Sequence, residues 1–419
     1  MAICGDWGSI ALREAFAKGD REPHNGAMWP FSKERTYLDY ASATPLLPEA
    51  AARMREAEKY IGNPGGIHAE AVEAKHALQD ARERIAKILG CKARELVFTS
   101  GLTESNNLAI VGYARNLERV KRTLSGTHWI VSAIEHASVL ESFSEIERLG
   151  GSVTHLVPNE KGIFTPEILR TALRQETVFV SIGWANNEIG VVQQLGALTE
   201  VAHAYEKEHG SRIIMHSDAG QAPLYEPTVV HSLGVDLLSL SASKLYGPHG
   251  VGALYISNRV NLAPIVLGGD QERALRAGTE NVALAVGFAA AFEVVAHERH
   301  AEAKRLQKMR DDLAREIIAQ IPGSIINGDT KHALPHMLNI SIPHVDSEYL
   351  TLQLDHTGFA VSTKSACQEG EKASHVIEAL GGGPERAEHT LRISLGRKTS
   401  QHEIEDFLRA LTKRAKIVH

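Results

Sequence analysis

Along this chain, short and nearly continuous apolar runs recur between longer stretches whose apolar residues follow helical spacing. Runs at 95–99, 129–133, 152–157, 178–184, 212–216, 235–240 and 251–256 are the right length and composition for strands buried on both faces. Helical spacing covers about 48–61, an alanine-rich stretch at 69–89, and 104–113. Strand alternating with helix predicts an α/β fold with a mainly parallel seven-stranded sheet covered on both sides. After about residue 285 the pattern changes. A charged helix at 298–321 leads to short strands at 324–327, 337–342 and 391–395, and an amphipathic helix at 403–416 closes the chain. This predicts a smaller α/β domain, with Gly381-Gly382-Gly383 as a flexible joint inside it. The expected organisation is an N-terminal extension at 1–36 with one short helical candidate near 10–18. A large domain at 37–284 follows, its first part also contributing to the small domain, and then a small domain at 285–419.

The residues after the predicted strands change the picture from fold to chemistry. They are Thr99-Ser100-Gly101-Leu102-Thr103, Glu135-His136, Asn186-Asn187-Glu188, Ser217-Asp218-Ala219-Gly220-Gln221 and Ser241 to Lys244. Ligands collect at the carboxyl ends of strands in open α/β sheets, so five polar strand ends predict one site. Lys244 leaves an apolar run and is followed by Gly247, Pro248 and Gly250, which force a turn. Taken alone, that lysine fits a snorkelling strand end as well as a desolvated nucleophile able to form a Schiff base with an aldehyde cofactor. Asp218 suits either a helix cap or a partner for a pyridinium nitrogen, and Ser100 to Thr103 either a capping box or a phosphate-binding helix start.

Composition narrows the classes. With 419 residues, 43% of them hydrophobic, the chain has material for two cores. A net charge of −6 argues against nucleic acid or an anionic membrane as partner. The longest apolar stretch, 282–295, is too short to span a bilayer and reads as a buried or interfacial helix. Cys4, Cys91 and Cys367 are an odd set without metal-ligand spacing, which suits a reducing cytoplasm. No His-Glu-x-x-His or Cys-x-x-Cys pattern occurs among the 21 histidines and three cysteines, so no metal is expected.

From about Tyr37 to Lys413 the sequence resembles the cysteine desulfurases, class V aminotransferase relatives that carry pyridoxal 5′-phosphate on fold type I. The resemblance rests on Phe98 to Asn107, Glu135-His136, Asn186 to Gly190, Asp218 to Gln221, Gln271 to Asn281, Ser365-Ala366-Cys367 and Leu391 to Arg397, in order and at family-like spacing. It implies that Lys244 holds the cofactor covalently and then acts as base, that Asp218 pairs with the ring nitrogen, and that His136 stacks on the ring and shuttles protons. Asn187 and Gln221 would bind the ring oxygen. Leu102, Thr103, Ser241 and Ser243 would surround the phosphate, with Thr279 reaching in from a second subunit of a homodimer. Arg392, with Asn187, would hold the carboxylate of L-cysteine. Cys367, among Lys364, Ser365, Gln368 and Glu369, would take the sulfur as a persulfide, releasing alanine and passing the sulfur to an acceptor protein for iron–sulfur cluster, thio-cofactor or tRNA pathways.

The chain also departs from the family. Ser243 stands where histidine is usual, Tyr40-Ala41-Ser42 replaces an Asn-Ala-Ala opening, Gly65-Gly66 replaces a small-hydroxyl pair, and Gln368 to Lys372 is acidic where the family is serine-rich. A selenocysteine lyase, another class V lyase or aminotransferase, and a scaffold without turnover are the competing expectations.

Overall fold

The seven apolar runs form one sheet. The computed structural model describes residues 35–363 and 373–415. Its strands are β1 (Thr36–Tyr37), β2 (Leu96–Thr99), β3 (His128–Ser132), β4 (Ser152–Leu156), β5 (Thr177–Ser181), β6 (Ile214–Asp218), β7 (Leu237–Ser241), β8 (Gly252–Ile256), β9 (Ile325–Ile326), β10 (Met337–Ser341), β11 (Phe359–Ala360) and β12 (Thr390–Ser394). The large sheet has the order β2-β8-β7-β6-β5-β3-β4. β8 runs antiparallel to both its neighbours, and the remaining pairs are parallel. All strands of this sheet except edge strand β4 are buried along their whole length, which explains why they read as unbroken apolar runs. The smaller sheet is antiparallel, in the order β12-β10-β9. β1 pairs in parallel with β11, and Asp39 bridges to Ser394, so the start of the described chain is sewn to its end.

The helices that matter to the site are α1 (Pro48–Ala57), α2 (Ala69–Leu89), α3 (Leu102–Arg119), α4 (Ala137–Arg148), α5 (Val282–Gln320), α6 (His375–Ala379) and α7 (Gln401–Ala415). α5 differs from expectation. The apolar stretch at 282–295 and the charged stretch at 298–321 are one helix of 39 residues, begun by the Asn281 side chain accepting from the Leu284 N–H. Its first half lies buried against α1 and α2, and its later turns pack on α7. None of the described helices is long and apolar enough to cross a membrane.

Gly381 to Gly383 is a tight connection between two short helices. Gly381 and Gly383 have φ of 78° and 73°, and a Cβ on Gly382 would lie 3.0 Å from the Ile377 carbonyl oxygen. What Gly381 and Gly383 supply at this turn is the positive φ.

Candidate active site

Ten of the twelve residues singled out from the sequence line one cavity of about 450 Å3 at the carboxyl ends of β2, β3, β5, β6 and β7: Leu102, Thr103, His136, Asn187, Asp218, Gln221, Ser241, Ser243, Lys244 and Arg392. Thr279 is exposed and is not among the lining residues. Cys367 and Cys4 lie outside the described residues. Cys91 follows α2, and burial pushes its thiol up to about 12, as expected of an inert cysteine.

Lys244 ends a short 3-10 turn after β7. Its Nζ donates to the carbonyl oxygens of Ala41 at 2.9 Å and Ser42 at 2.5 Å. The turn beyond it is locked: Tyr246 has φ of 56°, its N–H donates to Thr44 Oγ1 at 2.7 Å, and its hydroxyl accepts from the Arg397 N–H at 3.0 Å. Asp218 is the last residue of β6. One carboxylate oxygen accepts from Asn106 Nδ2 at 2.7 Å and the other from the Gly220 N–H at 2.8 Å. Gln221 Nε2 donates to the Ala41 carbonyl oxygen at 2.9 Å.

At the other end of the cavity α3 begins after Gly101 with no side-chain cap, leaving its first backbone N–H groups without helical partners. The Ser241 and Ser243 hydroxyls, 3.0 Å apart, line the same cavity. Close approach here requires glycine: a Cβ on Gly252 would sit 2.8 Å from the Gly101 carbonyl carbon, and one on Gly220 would sit 2.6 Å from Leu102 Cδ2. These donors and the positive end of α3 suit a phosphate group.

Arg392, in β12, is nearly fully buried. Its Nη1 donates to the Asn187 carbonyl oxygen at 2.8 Å, and its Nη2 to Asp39 at 2.8 Å and Ser42 Oγ at 2.6 Å. Its Nε is buried with no hydrogen-bond partner, while the residue as a whole lines the cavity. His136 caps α4, accepting at Nδ1 from the Ser138 N–H at 3.1 Å. Burial lowers the affinity of this imidazole for a proton, while the Asp218 charge opposes that shift.

Of the residues given no role from the sequence, Glu135 lines the cavity, and Asn106, Glu188 and His375 stand outside its lining. The Glu135 carboxyl accepts from the Gly183 N–H at 2.5 Å, and burial, reinforced by the nearby Asp218 charge, pushes it up to about 8. Glu188 is fully buried and accepts from Ser374 Oγ at 2.6 Å, while His375 lies 3.1 Å from the Glu135 carbonyl oxygen. Asn106 and Glu135 stand inside motifs quoted above, yet only the fold aims them at the site. Ala41 and Ser42 were visible in the sequence only as a departure from the family; Ala41 acts through its backbone carbonyl, and Ser42 through its carbonyl and its hydroxyl.

The chain has clear relatives. The sequence profile of the class-V aminotransferases matches residues 36–407. Cysteine desulfurase IscS of Dictyoglomus turgidum is 41% identical over 383 residues, which are 91% of this chain and 94% of that protein. The solved structure of a NifS-like protein superimposes with a TM-score of 0.84 at 32% identity, covering 91% of this chain and all of the other. SspA, solved in complex with cysteine, gives 0.73 at 32% identity over 86% of this chain and 98% of its own. The depth of those matches and the convergence of lysine, aspartate, histidine and arginine on one cavity agree, and the chain belongs to the cysteine desulfurases of the class-V aminotransferase family.

Proposed function

We propose that this chain binds pyridoxal 5′-phosphate in the cavity, takes sulfur from L-cysteine, releases alanine and hands the sulfur from Cys367 to an acceptor protein. The observation that carries the reading is the placement of Lys244, Asp218 and the uncapped start of α3 around one cavity, which matches the three chemical ends of an aldehyde-bearing, phosphorylated pyridine. When bound, that group supplies an electron sink for charge developing at the substrate α-carbon.

The chain's residues would do the rest. Lys244 would hold the aldehyde end through its amine and would serve as the base for the α-proton, and the carbonyls of Ala41 and Ser42 keep that amine in place. Asp218, kept in place by Asn106 and Gly220, would pair with the ring nitrogen. Backbone N–H groups of Leu102 and Thr103, with the hydroxyls of Ser241 and Ser243, would bind phosphate, and the two hydroxyls would take the place of the usual histidine contact. Asn187 and Gln221 would bind the ring oxygen, and the Arg392 guanidinium at the cavity wall would hold the substrate carboxylate. The Cys367 thiolate attacks the substrate sulfur. A sulfur–sulfur bond forms, the carbon–sulfur bond breaks with its electron pair left on carbon, and protonation of that carbon gives alanine. Thr279 of a second copy would complete the phosphate site in a homodimer.

The test is the visible spectrum of the purified protein on addition of L-cysteine, with wild type beside Lys244→Ala and Cys367→Ala. A band present only with Lys244, and alanine released only with Cys367, is the expected result. Absence of the band after pyridoxal phosphate is added would leave the fold without this chemistry.

A further inference from the structure

His136 has a second neighbour besides the Ser138 N–H: the Ser138 hydroxyl lies 2.9 Å from the same Nδ1. The direction of that contact follows from Asn106. Its Nδ2 is 2.7 Å from Asp218 Oδ2 and 2.9 Å from Ser138 Oγ. A carboxylate only accepts, so the amide must turn its nitrogen toward Asp218, and its other hydrogen then points at Ser138 Oγ. The amide oxygen is left buried without a partner, a cost accepted in holding both hydrogens in these contacts. Ser138 Oγ therefore accepts from Asn106, and its own hydrogen is directed to His136 Nδ1. Two donors on one ring nitrogen leave the imidazole proton on Nε2.

We infer that Asn106 and Ser138 are positioning residues that link Asp218 to His136 and fix the ring proton on Nε2, so that the imidazole meets cofactor and substrate as a neutral donor. The inference rests on the proposed function only for what the ring meets; the relay itself is built from this chain. Asn106 and Ser138 are both buried, so water does not replace either contact. The charged and titratable groups facing the ring are Asp218 from β6, Lys244 after β7, Glu188 and His375. A proton on Nδ1 would displace both Ser138 donors, so the relay acts in the same direction as burial and against the pull of Asp218.

The test is nitrogen NMR of full-length protein carrying 15N-histidine, with and without added pyridoxal phosphate, the His136 signals being assigned by their loss in His136→Gln. The wild type is expected to show a protonated Nε2 and a bare Nδ1. Ser138→Ala should mix the two tautomers and raise the ring's titration by about half a unit to one unit, and Ser138→Thr should restore both. Asn106→Asp removes the donor to Ser138 and should loosen the tautomer in the same way. A proton on Nδ1 in the wild type, or no change in either Ser138→Ala or Asn106→Asp, overturns the relay. Because the comparison is also made without cofactor, failure of pyridoxal phosphate to bind would sink the proposed function and still leave the relay decided.

Discussion

Arg392 has most of its fork committed before any substrate arrives, to the Asn187 carbonyl, Asp39 and Ser42. Those contacts hold the guanidinium rigid at the cavity wall. Lysine would keep the charge but lose the planar geometry. Arg392→Lys should therefore raise KM for L-cysteine by about tenfold with a smaller effect on kcat, as steady-state kinetics would show. Glu135 is the second informative residue. Its carboxyl stays protonated in the folded protein up to about 8 but titrates near 4.5 when unfolded. The folded state thus binds more protons between those values, and its stability falls as pH rises through that window. Glu135→Gln keeps an acceptor for Gly183 and removes the titration. Its melting temperature should drop less than that of the wild type between pH 5 and pH 9, by a few degrees in a thermal scan. Equal pH dependence in the two proteins would show that the carboxyl is ionised in the fold.

The elements around the cavity depend on close backbone contact as much as on side chains. β8 crosses the start of α3 so tightly that a Cβ on Gly252 would lie 2.6 Å from the Leu240 carbonyl oxygen and 2.8 Å from Gly101. Gly252→Ala should cost about 1–3 kcal/mol in stability and displace the donors meant for phosphate, seen as a weaker dissociation constant for pyridoxal phosphate. Six of the seven strands were legible because each is buried along its whole length, and the strand-end positions of Asp218 and Lys244 followed at once. The continuity of α5 was not legible. Its first half is apolar nearly all round and its second half is charged, so one helix carries two patterns. The contacts of Asn106 with Ser138 and Asp218, and of the Ala41 and Ser42 carbonyls with Lys244, were hidden for a different reason: the partners lie far apart in sequence, and a contact of that kind leaves no periodic trace. Resemblance to a family supplied the roles of His136, Asn187, Gln221, Thr279 and Arg392, none of which periodicity distinguishes from an ordinary polar residue.

At the scale of the whole molecule, the site is built from the first and last parts of the described chain. β1 pairs with β11, Asp39 meets Ser394 and Arg392, and the Ala41 N–H donates to Ser394 Oγ at 2.9 Å. A chain truncated after residue 380 keeps Lys244, Asp218 and the whole large sheet, yet lacks β12. Such a chain should fail to retain pyridoxal phosphate through gel filtration, whereas retention would mean that the large sheet alone makes the site. The pairing also orders events in time. During synthesis the segment around Ala41 and Ser42 emerges early and must wait for β12 before it has a fixed place beneath Lys244, so the lysine pocket is among the last parts of the protein to close. An unfinished chain on the ribosome would therefore expose a reactive amine without the geometry to use it, and loading with the cofactor would mark completion of the polypeptide.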